Sequence, residues 1–203
     1  SAGAQHEREG GNARSQTLTI GYVATERYST QVYATWAADP GASMRYDEWA
    51  WLNQFTVTTP GAGAFDAAAL CGIERPHDPD EGTGILCGAL LQWDTDHVQV
   101  NVNPLLERHL HAADPSETDL LYQWQAKTLV HRGLELGAQG FGAVGRWNHW
   151  AAKAQQQHTL GPAIFAKWGL GAGRTLTFDA AYLFGLGDGS PRDTLRVRVV
   201  ENF

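Results

Sequence analysis

The sequence predicts an all-β fold: an antiparallel up-and-down transmembrane β-barrel of about twelve strands, with ten as the alternative count. Three observations predict it. Apolar and polar residues alternate with period two along most of the 203 residues, as in strands with one apolar face. The linkers between those stretches alternate between long and short. The final stretch, Thr194–Phe203, puts Leu195, Val197, Val199 and Phe203 on one face and Thr194, Arg196 and Arg198 on the other. A soluble domain gains little from ending in such a strand, whereas a closed membrane barrel needs one, with lipid outside and a polar lumen inside.

Residues 1–14 read as an N-terminal segment and residues 15–203 as the barrel. His6-Glu7-Arg8-Glu9-Gly10-Gly11 belongs to the expected first outer loop, and a short first strand is expected either within Ser1–Gln5 or mostly upstream of it. The alternating stretches that follow are 15–25, 28–37, 44–58, 64–74, 83–94, 97–107, 118–131, 133–146, 157–168, 174–186 and 193–203, with ends placed to about two to four residues. Glu26-Arg27 is a tight turn, Ala38 to Ser43 a medium link, and Thr59-Pro60-Gly61-Ala62-Gly63 a short one. Arg75 to Gly82 is long, and the tight Asp94-Thr95-Asp96 leads into His97–Asn103, where valines face one way and polar groups the other. Arg108 to Glu117 is long again. It precedes Tyr122-Gln123-Trp124-Gln125-Ala126-Lys127, whose aromatics oppose Gln, Gln and Lys. His131-Arg132-Gly133 is tight, Trp147 to Gln156 long, Gly169 to Gly173 short, and Gly187 to Arg192 medium. With a periplasmic C-terminus, every long loop lies outside and every tight turn inside, the asymmetry of membrane barrels. Glycines defeat a helical reading elsewhere, so only Leu105–His111 and Trp150–Gln157 can hold a turn of helix.

Composition bounds the function. A net charge of −7 supplies no basic patch to neutralise phosphates, which argues against a nucleic-acid partner. No apolar run reaches the length of about eighteen residues that a transmembrane helix requires. The mean hydropathy of −0.33 fits a barrel, because lipid-facing and lumen-facing residues average out. The 23 glycines and 8 tryptophans favour strands and turns over a helical bundle. No signal peptide is visible, so an exported chain would be numbered from its cleavage point or beyond it. The competing architecture is a water-soluble β-barrel or sandwich, which alternates in the same way.

Cys71 and Cys87 flank a turn centred on residue 79, so a hairpin there sets them opposite one another on the apolar face. In an oxidising compartment they are disulfide candidates. The other reading is a pair of thiols packed as small apolar groups. Two cysteines exclude a cysteine-ligated zinc or cluster site. Of the eight histidines, His109 and His111 share one expected outer loop, with His77, His149 and His158 on or near others. No third ligand is fixed by spacing, so they read as solvated side chains and no metal or other cofactor is expected. His97 and His131 fall at tight turns. Ser1, Ser15, Ser29, Ser43, Ser116 and Ser190 show no spacing that projects a serine and a histidine to one side of a strand. Asp114, Glu117 and Asp119 read as loop solvation. No catalytic residue is assigned, and the chain is read as a non-enzyme.

Alternation sends Gln31, Tyr33, Glu48, Gln54, Asp66, Gln99, Asn101, Gln123, Gln125, Lys127, Glu135, Gln139, Lys167, Asp179, Arg196 and Arg198 to the interior. Lys127, Lys167, Arg196 and Arg198 come from later strands while Glu48 and Asp66 come from earlier ones, which sets a transverse field suited to small charged or zwitterionic solutes. Structural ion pairing is the equal alternative. Outward aromatics fall into two interface belts. Trp36, Trp49, Tyr122 and Tyr182 lie near the outer rim, and Tyr22, Phe55, Phe65, Trp93, Trp168 and Phe203 near the periplasmic rim.

The final strand with its closing aromatic resembles the terminal strand of bacterial outer-membrane proteins, although Glu201 departs from that pattern. Trp49-Ala50-Trp51-Leu52-Asn53-Gln54-Phe55 running into Thr59-Pro60-Gly61, the Tyr122–Lys127 run, Gly137–Gly142, Trp147-Asn148-His149-Trp150 and Gly161-Pro162-Ala163 carry a wider resemblance. Through them the chain is similar to poorly characterised, porin-like outer-membrane β-barrel proteins of proteobacteria. The resemblance implies export and insertion in the outer-membrane lipid bilayer, and no particular substrate. The expected function is a small passive channel for small polar or charged solutes. The alternative is a plugged structural or interaction barrel that presents its loops or pairs with a periplasmic or surface protein. A membrane-embedded lipid-modifying enzyme is disfavoured.

Overall fold

The computed structural model describes residues 2–6, 11–114 and 117–203. Ser1, residues 7–10 of the expected first outer loop, residues 115–116 with Ser116, and the side chain of His6 lie outside that description. The strands are β1 (Ala2–His6), β2 (Asn12–Thr25), β3 (Tyr28–Ala38), β4 (Arg45–Thr56), β5 (Phe65–Pro76), β6 (Thr83–Asp94), β7 (Val98–Leu110), β8 (Asp119–His131), β9 (Leu134–Arg146), β10 (His149–Trp150), β11 (Gln157–Gly171), β12 (Arg174–Gly185) and β13 (Asp193–Asn202).

β10 is two residues long and folds back on the end of β9 through His149↔Arg146 and Trp150↔Gly145. The remaining strands form a closed antiparallel ring of twelve, each beside its neighbours in sequence. The ring closes where β13 meets β1, from Ala2↔Val197 to His6↔Asp193. β1 bridges β13 and β2 over those five positions only, and beyond Gln16 on β2 and Val197 on β13 no described strand stands between the two toward the turn end. Where the strands do pair, their main-chain N–H and C=O groups are satisfied, as a sheet in lipid requires. One end of the ring carries two-residue turns at 26–27, 132–133 and 172–173 and a three-residue turn at 95–97; the other carries the longer links 39–44, 77–82, 111–118, 147–156 and 186–192.

Several local expectations need correction. The link at the turn end between β4 and β5 spans 57–64, longer than the Thr59–Gly63 read from sequence. The Asp66 carboxylate organises it, accepting from the Thr58 hydroxyl at 3.0 Å and from the Gly61 backbone N–H at 3.0 Å. Leu105–His111 holds no helical turn. β7 runs on to Leu110, because Gly84↔His109, Thr83↔Leu110 and Glu107↔Asp119 keep the ladders going on both sides. Trp150–Gln157 likewise divides between β10, turns and the start of β11. Among the described residues the one helical segment is a 3-10 turn, Pro79–Glu81, capped by the Asp78 carboxylate on the Asp80 N–H. No helix here is long and apolar enough to cross a membrane.

Cys71 and Cys87 are directly opposed on β5 and β6 and are joined by a disulfide. Their face is the outer one. Phe65, Ile73, Ile85 and Trp93 share it and are exposed, whereas Leu70, Glu74 and Leu86 on the other parity are buried inside.

Candidate functional site

The inner face of the ring is the candidate site, and the alternation within each strand decides what reaches it. On β6, β7, β8 and β9 the inward positions Gln92, Asn101, Gln125 and Gln139 stand directly opposite one another across three consecutive ladders. Cross-strand neighbours of this kind are close enough to bond through their side chains. Gln139 donates to Gln125 at 3.4 Å, Gln125 to Asn101 at 3.0 Å, and Asn101 to Gln92 at 2.9 Å. Gln92 then donates to Asp94 Oδ2 at 2.6 Å, and Gln99 donates to Asp94 Oδ1 at 2.7 Å.

The girdle ends on a basic group at its other side. Arg196 of β13 donates to Gln139 Oε1 at 3.2 Å and to Asp179 Oδ1 at 3.1 Å, and Arg198 Nε donates to Asp179 Oδ2 at 2.6 Å. Arg196 crosses two strands to reach Gln139. It can do so because the inner faces of β11 and β12 are low there: Gly161, Ala163 and Ala181 are all buried and carry little or no side chain. The guanidinium rests 5.3 Å from the centre of the Phe141 ring, within cation–π range. Asp179 is 1% exposed and serves two arginines, so this corner keeps one positive charge in excess. Lys127 and Glu135 form a separate inward pair at 2.7 Å, with the ammonium over the Phe165 ring.

The opposite wall differs. Leu52, Leu70, Leu86 and Leu105 are buried in one cluster, with Tyr33, Leu90 and Leu121 packed on it. Glycines make the shelf flat: a Cβ at Gly72 would collide with Leu52, and one at Gly88 with Leu105. Toward the loop end, the shelf gives way to acids. Tyr33 donates to Glu74 Oε1 at 2.7 Å, and Glu107 lies within hydrogen-bonding reach of Glu74 and close to Glu48. His109 sits at the rim beside Glu107, 3.8 Å away, with its Nδ1 2.9 Å from the Glu81 carbonyl.

Two interior cavities are lined by described residues. One, of about 890 Å³, fills the loop-end half between the acid cluster, the leucine shelf and β13; the other, of about 440 Å³, fills the turn-end half. Both are bounded by Gln54, Asn103, Gln123, Phe141, Arg196 and Arg198, so they meet at the level of the arginines.

Of the residues that alternation sends inward, Gln31, Tyr33, Gln54, Asp66, Asn101, Gln123, Gln125, Gln139, Arg196 and Arg198 border these cavities. Gln99, Lys127, Glu135 and Asp179 are engaged in the pairs above, and Lys167 is exposed near the turn end, where its backbone N–H donates to the Gly133 carbonyl. A list of inward polar residues omits the apolar shelf, as well as Glu74, Gln92, Asn103, Glu107 and Phe141. The same period-two parity marks all of them, once apolar residues are allowed on the inner face.

On the outer face, Tyr22, Phe55, Phe65, Trp93, Trp168 and Phe203 are exposed toward the turn end, and Trp49 and Tyr182 toward the loop end. Trp36 is half-buried edge-on against Tyr46. Tyr122 lies across Gly142, where a Cβ would strike its ring, and its hydroxyl meets His158 Nδ1 at 2.7 Å. His158 Nε2 is 2.9 Å from Gln156 Oε1, while Ser190 Oγ binds the backbone N–H and C=O of His158 rather than its ring. Among the described residues, no group of three His, Cys, Asp or Glu side chains is placed to hold a metal ion.

No family model matches the chain. No curated protein matches it either. Among solved structures, the chain is similar to a NanC porin in a rhombohedral crystal form, over 100% of both chains, with a TM-score of 0.62 and 11% sequence identity. At that identity the likeness concerns the fold.

Proposed function

We propose that this chain is a bacterial outer-membrane barrel that acts as a small passive channel for small polar or charged solutes. The observation that carries the reading is the pair of cavities stacked inside the barrel, which share Arg196 and Arg198 in their linings. A polar passage inside a closed ring, with apolar side chains outside, is the arrangement that lets water and solutes cross a bilayer. The exposed outer aromatics near both ends support seating in lipid, where amphipathic rings favour the interface. The fold likeness to a porin agrees with this reading.

One observation favours a second reading, a plugged structural or interaction barrel. The Arg196 side chain and its bond to Gln139 stand at the level where the cavities meet. Reconstitution in planar bilayers separates the two. A channel gives discrete conductance steps from pure, folded protein. Their absence from protein that shows heat-modifiable gel migration would establish the plugged barrel.

A further inference from the structure

We propose that the loop-end cavity selects zwitterionic solutes with an apolar body, of which short apolar peptides with free amino and carboxyl ends are the type. This deepens the channel reading and rests on it. Three chemistries border the one cavity of about 890 Å³. Glu74 and Glu107 stand at the loop end of the β4–β7 wall, with Tyr33 beside them. The leucine shelf lies next to them on the same wall, with Leu90 and Leu121 half-buried at its surface. Across the bore, nearly half way round the ring, β13 presents Arg196 and Arg198 with one carboxylate between them.

Charge complementarity fixes the orientation of the occupant. A free amino group pairs with the acids, and a free carboxylate pairs with the excess guanidinium charge, each through charge-assisted hydrogen bonds. The body between them lies against leucine and the Phe141 ring, which a sugar would leave wet. A solute that lacks either charge or the apolar body gives up one of the three contacts. The volume is within the range of ordinary ligand pockets, roughly 300–1,000 Å³. It admits a dipeptide with its first water.

Block of the open-channel current tests this. Leucyl-leucine added to the bilayer chamber reduces the ion current at millimolar concentration. N-acetylglucosamine, a neutral sugar of similar mass, needs about tenfold more, for want of both charge-assisted contacts. N-acetyl-leucyl-leucine and leucyl-leucinamide, each with one charge removed, fall between them, and glycyl-glycine, with both charges and no apolar body, also blocks more weakly. In the doubly substituted Glu74→Gln, Arg198→Gln protein, half-block by leucyl-leucine shifts to about tenfold higher concentration. Equal block by dipeptide and sugar, or block indifferent to removal of either terminal charge, overturns the proposal and leaves the channel standing. The ligand series needs no variant to fold. Absence of any current overturns the channel reading itself.

Discussion

Asp179 shows how much a single inward residue can hold. Parity along β12 puts it inside, and the sequence alone shows that Arg196 and Arg198 share that face. Parity gives the face but not the reach, so nothing in the spacing says that one carboxylate serves both guanidiniums or that Arg196 extends to Gln139. That bond depends on the absence of side chains at Gly161, Ala163 and Ala181, a packing fact that appears only when three strands are set side by side. Removing the carboxylate leaves two adjacent positive charges in a confined wall. Asp179→Asn is expected to destabilise the barrel by about 3 kcal/mol, the usual cost of breaking a buried pair. The midpoint of urea unfolding followed by heat-modifiable migration measures it. In bilayers the same variant shifts the reversal potential in a salt gradient toward anions, and an unchanged reversal potential would show that this corner does not face the ion path.

The elements were the most legible level. Period-two alternation with glycine- and proline-rich breaks places strands within a few residues of β2 to β9 and β11 to β13, because each strand must keep one face apolar along its length. Where the reading stops short, at β7, the residues are Arg108, His109 and Leu110. Charged residues near a loop look like loop, yet the ladders to β6 and β8 carry the strand past them. The disulfide follows from the same logic, since a hairpin centred on residue 79 makes Cys71 and Cys87 partners. A cross-link that closes a sequence separation of 16 residues restricts the unfolded chain and contributes about 3 kcal/mol. Cys71→Ser with Cys87→Ser is therefore expected to lower the urea midpoint by that amount. Its sulfurs are on the outer face, so single-channel conductance should stay at the wild-type value. A changed conductance would place the bridge in contact with the lumen.

At the scale of the whole molecule, the sequence foretells a closed ring and a polar interior but not the unequal walls within it. The inward polar residues read from the sequence include Asn101, Gln125 and Gln139 of the amide girdle and the arginines, but not Gln92 or Asp94. That reading passes over the leucine shelf, because apolar inward residues in a membrane barrel look like misassigned outward ones until Gly72 and Gly88 are seen to make room for them. The width of the bore where the two cavities share their lining is expected to depend on the length of the side chain at position 196. Arg196→Ala should raise single-channel conductance by about half or more, since a cross-section only a few side chains wide loses its longest one; a conductance equal to wild type would show that this side chain does not limit the bore. The girdle itself has a direction. Every link donates the same way, from Arg196 through Gln139, Gln125, Asn101 and Gln92 to Asp94. Turning any one amide would set N–H against N–H at one joint and oxygen against oxygen at the other, so the row reverses only as a unit, and a cation at its head and an anion at its tail forbid that. Such aligned bonds polarise one another. The inner wall thus carries a fixed electrical polarity around the bore, wired in series across four strands and into a fifth, and a solute in transit meets a surface whose dipoles have already been told which way to face.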